Sequence, residues 1–123
     1  MEESNNSPIQ SDFERIKKQD NKGLEYWTSR ELCTALGYST YPKFNRTLNK
    51  AIAIANKKGC NTTEHFNPMF ELNSGSFRKV ENIHLSRIAC LMIAENADSK
   101  KPQVQMAREY FKQEISTPEL IGN

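Results

Sequence analysis

Residues 28–57 read TSRELCTALGYSTYPKFNRTLNKAIAIANK, and this stretch decides the fold. Thr28 or Ser29 can cap a helix, and Glu31, three residues after Thr28, completes the spacing of a capping box. Leu32, Ala35 and Leu36 form one face of that helix. Gly37 ends it, because glycine enters the left-handed conformation without a Cβ penalty. Tyr38, Ser39, Thr40 and Tyr41 make the connection to a second helix, which Pro42 opens at its first position, where an N–H is not needed. Over 42–57, Phe44, Leu48, Ala51, Ile52 and Ala55 recur at helical spacing and predict a core face, with Lys43, Arg46, Lys50 and Lys57 on much of the remaining surface. Two helices joined by a short turn, the second one basic, have the layout of a helix-turn-helix. An ordinary helical hairpin has the same pattern, and pattern alone does not separate the two.

Charge sharpens the question. From Leu32 to Thr63 there is no acidic residue, while Lys43, Arg46, Lys50, Lys57 and Lys58 contribute +5, leaving −3 for the rest of a chain whose formal net charge is +2. Such segregation lets a protein approach a polyanion with one face while remaining balanced overall. The alternative is a solvated helix face that happens to be basic.

On the N-terminal side, residues 1–11 are rich in Ser and Asn and read as a flexible leader. Phe13 and Ile16 predict a short helix after the cap candidates Ser11 and Asp12. Asn21-Lys22-Gly23 is a turn signal, and Leu24 to Trp27 reads as a strand or an extended entry into the helix that follows. On the C-terminal side, 58–63 is loop. His65–Leu72 and Ser76–Ile83 flank Asn73-Ser74-Gly75 as a β-hairpin, with Pro68 placing the first strand at an edge or delaying its start. Arg78 and Lys79 stand on this hairpin, which is either a wing against a nucleic-acid backbone or purely structural. Leu85, Ile88, Ala89, Met92 and Ile93 predict an amphipathic helix to about Asn96, capped by Asn82 or His84. Pro102 opens a last helix in which Val104, Ala107, Phe111 and Ile115 share a face, and Thr117-Pro118 stops it, leaving 117–123 frayed.

The expected fold is therefore α+β: a mainly helical single domain over 12–116, with a helix-turn-helix-like pair and a β-hairpin. A chain of 123 residues suits one domain, and no apolar run approaches the ~20 residues a membrane helix needs. The first ten residues lack the basic and apolar regions of a secretory signal. Three widely spaced cysteines, Cys33, Cys60 and Cys90, do not form a disulfide framework, and a cytoplasmic protein with no membrane partner is expected. Cys33 and Cys90 fall within apolar helical patterns and should pack as small hydrophobes, while Cys60 belongs to a loop. His65 and His84 have no second ligand at i+3 or i+4, so no metal is expected. There is no phosphate-cradling glycine loop and no recognisable activated nucleophile, so neither cofactor nor catalysis is expected.

Two stretches carry a resemblance. The first is Glu25-Tyr26-Trp27-Thr28-Ser29-Arg30-Glu31-Leu32 followed by Leu36-Gly37-Tyr38. The second is Leu85-Ser86-Arg87-Ile88-Ala89-Cys90, continuing through Ile93-Ala94-Glu95-Asn96-Ala97-Asp98 to Tyr110-Phe111. In order and separation they resemble the N-terminal part of the DNA-damage-inducible protein D family, related to the Bro-N-type domains of phage antirepressors, over about residues 12–115. Ile88 and Leu91 depart from the aromatic residues expected there, a change of core packing. The resemblance implies a bacterial or phage-derived DNA-binding regulator of the damage response, connected with a recombinase filament on single-stranded DNA. Family members continue well beyond this length, so the chain is expected to be a short relative or an N-terminal domain.

Residues and resemblance together nominate a DNA surface. Ser39, Thr40 and Tyr41 lie at the turn and start of the second helix, where hydroxyls and an aromatic can meet phosphates or bases. Lys43, Arg46 and Lys50 form the positive face, and Lys57, Lys58, Arg78 and Lys79 are secondary phosphate contacts. Arg30 and Arg87 are expected to be tied to internal partners, and Tyr26, Trp27 and Tyr38 to pack in the core rather than stack on bases. The expected partner is DNA, single- or double-stranded, with a recombinase or repressor protein and self-association through 104–115 as further partners. The alternative is a protein-interaction module that regulates such a partner without touching DNA.

Overall fold

The structure, a computed structural model, describes residues 8–72 and 79–115. In chain order the elements are α1 (Pro8–Arg15), β1 (Lys18–Gln19), β2 (Glu25–Thr28), α2 (Ser29–Ala35), α3 (Tyr41–Lys57), α4 (Thr62–His65), β3 (Phe66–Asn67), β4 (Phe70–Leu72), β5 (Lys79–Glu81), β6 (His84–Leu85), α5 (Arg87–Glu95) and α6 (Pro102–Ile115). This is a small α+β domain. One antiparallel sheet has the order β1-β2-β6-β3, and β4 pairs with β5 in a separate two-stranded sheet.

The sheet is the hinge between early and late parts of the chain. β2 leads directly into α2, and β6 leads through Ser86 into α5, so pairing Trp27 with Leu85 brings the two helix starts side by side. The Trp27, Leu32, Leu36, Phe44, Leu48, Leu85, Ile93, Val104 and Phe111 side chains are fully buried. The α5 helix lies at the centre, packed against α6, α3 and β2. Burial supplies most of the driving force at roughly 25 cal/mol per Å² of apolar surface. The buried indole also finds an acceptor, its Nε1 donating to the Phe13 carbonyl at 2.8 Å, which ties α1 to the sheet.

Local chemistry sets the boundaries of the central pair. Thr28 caps α2, its Oγ1 accepting from the Glu31 N–H, and Gly37 follows the helix at φ +85°. Thr40 caps α3 in the same way through the Lys43 N–H. Helix α3 starts at Tyr41, one residue before the expected Pro42. Pro42 is accommodated because the whole first turn lacks intrahelical acceptors for its N–H groups. Phe44, Leu48, Ala51 and Ala55 are buried, as their spacing predicts, and Ile52 is half-buried.

Four boundaries differ from expectation. The first helix begins at Pro8, within the stretch expected to be leader, because proline suits the first helical turn. The expected long hairpin is divided into three strands across two sheets, and His84–Leu85, expected at the start of the next helix, form a further strand. Pro68 interrupts its first arm, and the second arm breaks at Asn82–Ile83, where Ile83 enters the core. Ser86, rather than Asn82 or His84, caps α5, since Leu85 is held in the sheet and the Ser86 Oγ accepts from the Ala89 N–H at 3.1 Å. The loop over 58–63 contains the start of α4, capped by Asn61. The hairpin turn at 73–75, Arg78 and the tail at 117–123 lie outside the described residues.

Candidate nucleic-acid interface

Helix α3 displays the cations. Successive helical residues advance by about 100°, so Lys43, Arg46, Lys50 and Lys57 fall within an arc of roughly 60°, centred roughly 140° from the buried stripe. All four are exposed, and so is Lys58 at the helix end. From Lys43 to Lys57 the row extends about 21 Å. Ala53, also exposed, lies beside the row and raises no barrier to a close partner.

These cations have no carboxylate partner among the described residues, as is also true of Lys79, Lys100 and Lys101, and what sets α3 apart is that positions 32–63 hold no Asp or Glu. Among the described residues the ion pairs join Arg15 to Asp12, Lys17 to Glu14, Lys18 to Glu31 and Arg87 to Glu25, and none involves α3. A cleft of about 440 Å³ between α1, α2 and the start of α6 offers a contrast. It is lined by both signs of charge, and its Arg15 and Asp12 neutralise one another at 2.8 Å.

The other nominated residues divide. Ser39 and Thr40 are exposed at the start of α3, although the Thr40 Oγ1 already serves as the helix cap. Tyr41 is half-buried and engaged by internal partners. Its hydroxyl lies 2.9 Å from the Ser29 Oγ, and its ring sits 4.1 Å beneath the Arg30 guanidinium. Burial pushes its phenol up, and the Ser29 hydrogen bond only partly opposes that. Lys79 is exposed on β5, separate from the α3 row.

Both motif arginines have internal partners, as expected. The Arg30 Nε donates to the Glu81 carbonyl at 2.7 Å. Arg87 makes a two-pronged bond to the Glu25 carboxylate, at 2.7 Å and 3.1 Å, and donates to the Tyr110 carbonyl at 3.1 Å. Trp27 is core, Tyr26 stacks on His84 with ring centres 4.3 Å apart, and the Tyr38 hydroxyl lies 3.2 Å from the Thr47 Oγ1. Cys33 and Cys90 are buried, and burial pushes both thiols up, that of Cys90 strongly, which disfavours the thiolate.

Sequence reasoning missed how the hairpin is attached to the helix pair. The Asn82 Oδ1 accepts from the Arg30 N–H at 3.1 Å, its Nδ2 donates to Glu71 at 3.2 Å, and its backbone N–H donates to the Met69 carbonyl at 2.8 Å. Arg30 then spans from Glu81 to Tyr41, so the foot of the β4–β5 hairpin is bonded to the first turns of both α2 and α3. No local pattern announces a side chain that caps a helix more than 50 residues away.

Fold and surface together define a small α+β domain with one cationic helix face clear of carboxylates. DNA damage-inducible protein D of Escherichia coli (strain K12) is 33% identical over 114 residues, which cover 90% of this chain and 42% of that protein. This similarity supports the assignment of the chain to the DNA damage-inducible protein D family, and the chain spans less than half the length of this relative. No family model matches the chain, and no solved structure matches it. Among the described residues no helix is long and apolar enough to cross a membrane.

Proposed function

We propose that the chain is a non-catalytic DNA-binding regulatory module of the damage response, of the damage-inducible D and phage antirepressor type, and that it works in the cytoplasm. One observation carries the DNA-binding part: the α3 row of exposed cations, without ion-pair partners among the described residues, in a segment devoid of carboxylates. Lys43, Arg46, Lys50 and Lys57 lie along about 21 Å of helix, a length that spans several phosphates of either strand form. Each phosphate neutralised releases condensed counterions, and that release is the driving force. Ser39 and Thr40 extend the contact at the N-terminal end of the row, and Lys58 extends it at the other.

The relative's name ties that protein to DNA damage, which supports a regulatory role in the same response for this chain. The test is fluorescence anisotropy of labelled single- and double-stranded oligonucleotides at several salt concentrations. Binding that weakens steeply with salt is expected, and Arg46→Glu with Lys50→Glu abolishes it while circular dichroism and Tm stay near wild type. No binding to either strand form at low salt would overturn the proposal and assign the α3 face to an acidic protein partner.

A further inference from the structure

The loop between α5 and α6 is fastened beside the α3 row. The Tyr38 hydroxyl lies 3.2 Å from the Thr47 Oγ1 on α3 and accepts from the Asp98 N–H at 3.3 Å. Lys101 donates to the Gly37 carbonyl at 3.1 Å, with its ammonium 5.1 Å from the centre of the Tyr38 ring. Arg108 holds the other side of the loop, donating to the Ala94 carbonyl at 2.9 Å and to the Ser99 Oγ at 3.1 Å. Lys100 is exposed between these anchors, and no ion pair among the described residues involves it.

We infer that the DNA face continues from α3 across Thr47 onto this loop, where Lys100 holds a further phosphate. The inference rests on the DNA-binding reading of α3 and adds the flank of that helix over which the DNA lies. Three features select it. Thr47 stands four residues after Lys43 and three before Lys50, so it is their neighbour on the helix surface, about 70° from the centre of the row. Tyr41, through which the β4–β5 hairpin is joined to α3, stands about 170° from that centre. The hairpin, with Phe70 62% and Leu72 66% exposed and Lys79 beside them, is therefore attached on the far side of the helix. Second, a loop anchored on both sides loses little freedom when DNA arrives, so its cation contributes more to affinity than one on a free loop. Third, the acid of the loop shapes the turn that presents Lys100: the Asp98 Oδ1 accepts from the Lys100 N–H at 3.0 Å. The Asp98 charge itself opposes a phosphate, which gives the contact a second signature.

The test is the salt dependence of anisotropy with labelled duplex and single-stranded oligonucleotides, using wild type, Lys100→Ala, Lys79→Ala and Asp98→Asn. All three positions are exposed, so circular dichroism should be unchanged. Lys100→Ala is expected to make the log–log slope shallower by one phosphate contact, about 0.9 on duplex or about 0.7 on a single strand. Between 50 and 200 mM salt its loss of duplex affinity should then be about 3.5-fold smaller than that of wild type. Lys79→Ala should keep the wild-type slope. Asparagine retains the acceptor for the Lys100 N–H without the charge, so Asp98→Asn should bind about 2- to 3-fold more tightly at low salt, the effect of one unit charge about 7 Å from a phosphate in water. A wild-type slope in Lys100→Ala, an equal flattening in Lys79→Ala, or unchanged affinity in Asp98→Asn would overturn the loop contact. The α3 reading would survive that outcome if Arg46→Ala with Lys50→Ala still flattens the slope. Absence of any salt-dependent wild-type binding would overturn both.

Discussion

Removing two cations from the α3 row without reversing their charge gives a quantitative test of how the row works. In Arg46→Ala with Lys50→Ala both changes fall on exposed positions, and alanine is the best helix former, so fold stability should stay within about 0.5 kcal/mol of wild type. If each of Lys43, Arg46, Lys50 and Lys57 neutralises one phosphate, the log–log salt slope on duplex DNA is about −3.6, or about −2.8 on a single strand. Deleting two contacts halves it, to about −1.8 on the duplex. Between 50 and 200 mM salt, wild type should then lose about 150-fold in affinity and the variant about 12-fold. Anisotropy titrations across that range read both numbers directly. Arg15→Ala with Lys17→Ala is the matched control: those cations already face Asp12 and Glu14, and the slope should not change. A slope that stays at the wild-type value in the α3 variant, or falls equally in the control, would refute a phosphate-contacting α3.

Three further predictions concern the frame that holds the face in place. Arg87→Ala leaves the Glu25 carboxylate and the Tyr110 carbonyl without their shared donor, and chemical denaturation should show a loss of about 2–4 kcal/mol; less than about 0.5 kcal/mol would mean that the pair is incidental. Gly37→Ala forces a Cβ into the left-handed region at φ +85°, only 2.9 Å from the Gln103 side chain, and should lower Tm by several degrees. Adding Gln103→Ala should recover only the steric part of that loss, and full recovery would show that the backbone conformation costs nothing. Alkaline pH should destabilise through Cys90: burial raises its folded-state pKa, so above about pH 9 the unfolded chain releases a proton that the folded chain keeps. Stability then falls with pH, and in Cys90→Ala the fall should be shallower by about 1.4 kcal/mol per pH unit; parallel curves would remove this linkage.

How much of this was legible depended on the range of the interactions. The α2–α3 pair could be read because its determinants are local: Thr28 and Glu31 three residues apart, Gly37 after Leu36, and the Phe44–Leu48–Ala55 stripe. The cationic row was legible for the same reason, since helical geometry converts the spacing of Lys43, Arg46, Lys50 and Lys57 directly into a face. The region from His65 to Leu85 was harder, because β6 is only two residues long and is defined by neighbours on both sides rather than by its own composition. Asn82 looked like a cap for the helix that follows it, and it does cap a helix, but α2, reached through the tertiary fold. Tyr41 looked available for DNA because nothing nearby in sequence marks Arg30 and Ser29 as its partners. The exposure of Phe70 and Leu72 was hidden for the opposite reason: apolar residues in a strand pattern read as core until the strand's neighbours are known.

The two treatments of positive charge in this domain explain each other. Arg87 is buried against Trp27 and must be matched, because an unpaired buried guanidinium would cost several kcal/mol; Glu25 on the adjacent strand supplies the match. Arg15, Lys17 and Lys18 lie nearer the surface and are also paired, from within their own neighbourhoods. The α3 cations sit where pairing would be easiest, since a Glu at an i+4 position on an exposed helix needs only one substitution and would add a few tenths of a kcal/mol. Yet positions 32–63 hold no Asp or Glu at all. A helix built only for stability would gain from such pairs, whereas one that meets a polyanion would be weakened by every carboxylate placed on it. The missing acids therefore say more about function than the cations do, and restoring one gives the corresponding test. Ala53→Glu lies one turn from both Lys50 and Lys57, should hold or slightly raise Tm through the new pairs, and should weaken DNA binding and flatten its salt dependence by about one phosphate contact. An unchanged affinity in a variant with raised Tm would show that the face tolerates acids and that their absence has no bearing on DNA.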